Sequence, residues 1–242
     1  MRAFELPEGF FPVHVFVPLT PEGGAAAALA AFVAAACGAA PRGDLRPCAP
    51  VATAGGAAPM HLSLSRTLPV CRAKLGSLTV RSARPHARSR LDAYSRRCCT
   101  AQEALRAALK RAPPPAWLPL RVPCSLVNDG RTRTFLCVEA TEASAPQQHA
   151  AFRAAVAAVD GAFARHDLPP FYAPPRAHAS LAWALGDVAH VADAAAAAAA
   201  AAGAHPPDWR AALPRVEMLV GTRVVPLWPP EATKRAGKKP AT

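Results

Sequence analysis

A chain of 242 residues has room for one large domain or two small lobes around a real core. Its net charge of +12 favours a polyanionic partner through counterion release. Its seven cysteines, odd in number and without a CxxC pair, exclude a disulfide framework and zinc-site spacing, and fit a reducing, intracellular compartment.

The opening "MRAFELPEGFFPV" has no apolar stretch of signal-peptide form. "VHVFVP", Val13 to Pro18, reads as a first strand. "PEGGAAAALAAFVAAAC" reads as a helix opened by Pro21 and Glu22 and closed by Gly38. Residues 39–59, rich in Pro, Gly and Ala, read as a loop. In "MHLSLSRT", residues 60–67, Leu62 and Leu64 alternate with His61, Ser63 and Ser65, as in a half-buried strand with an imidazole and two hydroxyls on its polar face. Residues 72–97 carry Arg72, Arg81, Arg84, Arg88, Arg90, Arg96 and Arg97 among serines with neither period, and read as a disordered insertion.

Thr100 to Ala112 reads as a helix with a capping box, Thr100 with Glu103. "WLPLRVPCSLV" and "TRTFLCVEA" flank "NDGR", residues 128–131, a hairpin signal. From Gln147 to His166, Phe152, Val156, Val159 and Phe163 fall at helical spacing. The proline-rich "DLPPFYAPPRA" then leads into "HASLAWAL", residues 178–185. There His178 and Ser180 share a face, with Ala179 and Leu181 on the other. Val188 to Ala202, with its nine-alanine run, is a helix, and "RVEMLVGTRVVPLW" a last strand or hairpin. Residues 229–242 read as a disordered tail. Its Lys234, Arg235, Lys238 and Lys239 are either a nuclear localisation signal or a solvated end.

Each half thus contains a helix followed by a histidine-bearing strand. The expectation is a duplicated α+β architecture whose pseudo-two-fold sets the two histidine strands side by side. Two imidazoles can pass protons in and out near neutral pH, and hydroxyls can hold non-bridging phosphate oxygens. No carboxylate cluster or metal-ligand set accompanies them. That combination suits a metal-independent phosphodiester site acting on RNA, whose 2′-hydroxyl is an internal nucleophile. The other histidines, His14 among them, sit in no repeated context and read as ordinary surface or partly buried residues.

The two strands look like the motifs of the 2H phosphoesterase superfamily. More closely, the chain resembles the U6 small nuclear RNA phosphodiesterase family, through "HVFVP", "HLSLS", "TRTFLCVEAT", "DLPPFY" and "HASLAWALGD" in that order. The resemblance implies one domain over residues 1–242: an α+β, two-lobed fold with pseudo-two-fold antiparallel sheets, flanking helices and a central cleft. It implies a nuclear 3′→5′ exonuclease, without cofactor or metal, that trims uridines and adenosines from the 3′ end of U6 RNA in support of splicing. The product would end in a 2′,3′-cyclic phosphate or a 3′-phosphate. His61 and His178 would be catalytic, and Ser63, Ser65 and Ser180 would bind phosphate. Tyr172 would stack on the terminal base, with Pro174, Arg176 and Ala177 completing the substrate contacts. Two departures stand out: the 72–97 insertion, and Asp129 where a longer polar side chain is usual after Asn128. The alternatives are a related 2H enzyme that opens cyclic phosphates or joins 2′–5′ linkages, and an inactive module that binds RNA or nucleotide.

Overall fold

The computed structural model describes residues 8–41, 44–71 and 101–229. The expected insertion at 72–97, the Thr100 cap and most of the basic tail lie outside the described residues.

Seven strands lie side by side in one sheet. Its first strand, β1 (Phe10–Leu19), is followed by α1 (Gly23–Ala39), short β2 (Arg46–Pro47), and a small hairpin of β3 (Val51–Thr53) and β4 (Gly56–Ala58). Next come β5 (Met60–Ser63), β6 (Leu68–Cys71) and α2 (Ala101–Arg111). Then follow β7 (Trp117–Leu120), β8 (Val122–Val127), β9 (Arg133–Ala140), α3 (Pro146–Ala164), β10 (Ala177–Leu185) and α4 (Ala189–Ala201). The described chain closes with β11 (Trp209–Ala212), β12 (Val216–Val220) and β13 (Arg223–Trp228). The sheet runs β13-β12-β1-β5-β10-β9-β8, with β2 on β10 and β6 on β1, and its described pairings are antiparallel. The expected lobes are its two halves, and they meet where β5 pairs β10.

Alternation decides the two faces. On β1, Val13, Val15, Val17 and Leu19 join Leu62, Leu136, Val138 and Ala179 in a buried cluster under the helices. The helices reach that cluster through Leu29 and Phe32 of α1, Leu105 and Leu109 of α2, Phe152 and Phe163 of α3, and the alanine face of α4. Close packing of α1 against α4 needs only alanine there, so the low-complexity run is a contact surface. The roofing is exchanged between halves. Helix α1, from the first half, packs on α4, which covers β8 and β9; α3, from the second, packs on α2, which covers β13.

Segment boundaries depart from the sequence reading in several places; Gly38, expected to close the first helix, lies inside α1, which is capped at Ala40. Residues 117–127 break at Arg121 into β7, which pairs β11, and β8, which pairs β9. Residues 39–59 contain β2 and the β3–β4 hairpin rather than loop alone. The expected Asn128 hairpin forms, with Arg131 (φ 50°) as its left-handed residue; the Asn128 side-chain oxygen, accepting from the N–H groups of Thr132 and Arg133, stabilises the turn. Among the described residues no helix is long and apolar enough to cross a membrane.

Candidate active site

The antiparallel register decides how the two motifs meet. Leu62 lies opposite Ala179, both on the core face. Their neighbours turn to the other face in opposite order, so each histidine stands across from the other motif's serine: His178 by Ser63, and Ser180 by His61. These four side chains are half-buried and line a cavity of about 870 Å³ on the face away from the helices.

His178 donates through Nδ1 to the Arg176 carbonyl at 3.0 Å. A carbonyl only accepts, so Nδ1 carries the proton and Nε2 is left for the cleft. Burial lowers the pKa of His178, against a raising contribution from that bond and from Glu139. Burial, with the nearby His178 charge, lowers His61 to about 4. Glu139 lies opposite His178 on β9. Burial pushes its carboxyl up, but the Arg176 guanidinium, hydrogen-bonded at 2.8 Å (Nε to Oε1) and ion-paired, outweighs that and holds it low. Arg176, expected at the substrate, thus reaches the cavity wall with its fork already on a carboxylate.

Two expected contacts are corrected. Ser65 is only 2% exposed, and its hydroxyl is used twice: it accepts from the Val15 N–H at 2.8 Å and donates to the Arg66 carbonyl at 2.9 Å. The cause is an irregularity after β5, where the N–H groups of Leu64 and Ser65 share the Val15 carbonyl and the alternation stops. Ser65 holds that bend and has no hydroxyl proton left for a phosphate. Ala177 is 0% exposed, on the core face of β10, and cannot touch a substrate.

His14 is the residue that sequence reasoning missed. It is 5% exposed, with Nε2 3.0 Å from Ser63 Oγ, its ring stacked on Phe16 and edge-on to His61. Burial, then the His61 charge, holds its pKa well below the ordinary value. The available signal was register: Phe16 pairs Ser63, which puts the even residues of β1 on the motif face. Behind Ser180 lies Cys137, Sγ 3.6 Å from Oγ, its thiol kept neutral by burial.

The loop before β10 is anchored by Phe171, which is buried and donates its N–H to Asp160 at 2.8 Å. Tyr172 is left 39% exposed on the cavity, with exposed Pro174 beyond it. The Arg66 guanidinium lies 4.1 Å from the Tyr172 ring centroid and is pinned by Asp129 at 2.6 Å. The Asp129 departure therefore has a structural use: it joins the β8–β9 hairpin to the segment after β5 beside Tyr172. Among the described residues no group of three or more His, Cys, Asp or Glu could hold a metal ion.

Three site imidazoles, His14, His61 and His178, whose pKa desolvation depresses, make stability acid-sensitive. Above pH 6.5 folded and unfolded imidazoles are both neutral. Between 6.5 and about 4 the unfolded chain takes up protons that folded His61 refuses, so stability falls across that window. At about 1.4 kcal/mol per unit, His61 alone accounts for a few kcal/mol at most. Melting curves of the RNA-free protein should show Tm falling from pH 6.5 to pH 4, and less steeply in His61→Gln; equal slopes would contradict this.

A family model described as HVSL, an uncharacterised conserved protein, matches residues 1–226. No curated protein matches the chain. Among solved structures, Usb1 of Kluyveromyces marxianus superposes with a TM-score of 0.54 at 14% identity, covering 91% of this chain and 99% of its own. The same protein with uridine monophosphate gives 0.50 at 12% identity, covering 89% and 97%. At these identities the likeness establishes the fold.

Proposed function

The chain belongs to the HVSL family, that of the U6 small nuclear RNA phosphodiesterases, and on that premise we propose that it is a 3′→5′ exoribonuclease trimming the oligouridine end of U6 RNA in the nucleus. The observation that carries the reading is the set of His61, Ser63, His178 and Ser180 on one face of two paired strands, at the floor of one cavity.

In the proposed reaction the scissile phosphate sits over that floor, its non-bridging oxygens on the two serines. One imidazole takes the 2′-OH proton as the 2′-oxygen bonds to phosphorus. The other, protonated, gives its proton to the departing 5′-oxygen as the P–O5′ bond breaks. One proton is gained and one lost, so the pair ends with its charge unchanged and its roles exchanged. The RNA is left with a 2′,3′-cyclic phosphate. Bound phosphate supplies the negative charge that raises the depressed imidazole pKa values and lets one histidine be protonated near neutral pH. In this reading His14 carries its proton on Nε2 and donates it to Ser63 Oγ, 3.0 Å away, so that the one hydroxyl proton of Ser63 turns towards the phosphate. No step requires a metal ion.

The test is incubation with a 3′-oligouridine RNA in EDTA, followed by mass analysis of the 3′ ends. Stepwise shortening to a cyclic or 3′-phosphate end supports the reading. Opening of a supplied cyclic phosphate without shortening would make it the other kind of 2H enzyme. Binding alone would make it an inactive module.

Tyr172 is assigned the terminal base in this reading. Tyr172→Ala should weaken binding of the terminal nucleotide by about 1–3 kcal/mol, equally at low and high salt, since stacking releases few counterions. A loss that disappears at high salt would mean that Tyr172 acts through the Arg66 guanidinium instead.

A further inference from the structure

A break in the pleat of β10 brings a second aromatic side chain into the same cavity. Ser180 lies opposite Cys137, but Ala182 lies opposite Leu136, so one residue of β10 is extra between them. Such a bulge shifts the phase of alternation by one. In a regular strand Trp183 would share the core face with Ala177 and Ala179. Here Ala182 and Ala184 are buried in the core instead, and Trp183 turns to the face of His178 and Ser180, half-buried on the cavity wall. Its cross-strand neighbours are Phe135 on β9 and Arg46 on β2, and Leu126 lies beyond Phe135; all of them line the cavity. The result is an apolar shelf beside the serine and histidines.

Two guanidiniums attend the shelf. Arg133 lies 4.7 Å from the Trp183 ring centroid, and the more exposed Arg46 lies 5.8 Å from it. An aromatic face with cations beside it, next to a phosphodiester site, matches what single-stranded RNA presents: a flat base followed by a phosphate. Along the chain the two aromatics bracket the second motif, Tyr172 before His178 and Trp183 after Ser180.

We propose that Trp183 is a second base platform, which holds the base of the nucleotide on the 5′ side of the scissile phosphate, the one whose 2′-OH attacks. This rests on the nuclease reading above and adds the other half of the substrate. The base displaces the looser guanidinium, Arg46, which moves to a flanking phosphate. Holding that nucleotide at its base orients the ribose, and so the angle of attack at phosphorus.

The experiment compares an oligouridine RNA with one in which the penultimate nucleotide is abasic, its ribose and phosphates intact. Wild-type protein should shorten the abasic RNA about 5- to 150-fold less efficiently at the first step, the range that base–aromatic stacking supplies. Trp183→Ala should suffer a similar loss on the intact RNA and little more on the abasic one, while Trp183→Phe keeps most of the wild-type rate. Because the substrate comparison uses wild-type protein, it survives a variant that fails to fold. Equal shortening of both RNAs by the wild type overturns the platform alone. Failure of the wild type to shorten the intact RNA overturns the nuclease reading, and the platform with it.

Discussion

His61→Ala and His178→Ala will each bring 3′ trimming close to a halt while leaving RNA binding largely in place. A positioned acid or base typically supplies about 10²–10⁴-fold. The two imidazoles act in one step, so the double variant should be little worse than either single one. Initial rates on a 3′-oligouridine RNA, beside equilibrium binding of the same RNA, provide the measurement. The separation is expected because the cavity keeps Ser63, Ser180 and Tyr172 when either ring is lost. Near-normal trimming by either single variant would remove that histidine from the chemistry. Multiplicative losses in the double variant would mean that the two act at separate steps.

A single 2′-deoxy substitution should be as damaging as losing a histidine, provided it falls at the nucleotide that is to become the new 3′ end. With no 2′-oxygen there, the internal nucleophile is gone, and trimming should stop one phosphodiester short of it. The same substitution at the terminal nucleotide, which leaves through its 5′-oxygen, should matter little to the first cleavage. EDTA should change neither result. Denaturing gels would show a discrete stop at the deoxy position. Passage through it at the ordinary rate would mean that water or a side chain attacks phosphorus.

The H-x-S strands were legible because their alternation is unbroken over the residues that matter, and because the second copy repeats the chemistry of the first. Their adjacency followed from the repeated order of helix and strand, and β5 does pair β10. The helices were legible too: the expected spans 147–166 and 188–202 appear as Pro146–Ala164 and Ala189–Ala201. What escaped were features produced by departures from regular geometry. Ser65 continues the alternation on paper, but two N–H groups share the Val15 carbonyl and turn its hydroxyl into the bend. Trp183 reads as a core-face residue by parity until the bulge moves it. His14 opens the "HVFVP" stretch but stands outside the repeated H-x-S pattern, and only the pairing of Phe16 with Ser63 brings it to the site. Bulges and register depend on partner strands far along the chain, which local periodicity does not encode.

The exchanged helices bear on how the molecule is made. A chain leaving the ribosome would present α1, with Leu29 and Phe32, long before α4, the helix that it packs on, has been synthesised. Strand β1 has an open edge until β12, more than 190 residues later, closes it. The first half therefore cannot mature as a unit ahead of the second. Its apolar surfaces must wait for nearly the whole described chain, a topology of distant pairings that folds slowly and is exposed to aggregation in the interval. A truncation that removes β12 and β13 would leave every catalytic side chain in the polypeptide, but with β1, the strand paired beside that of His61, unpaired along its outer edge.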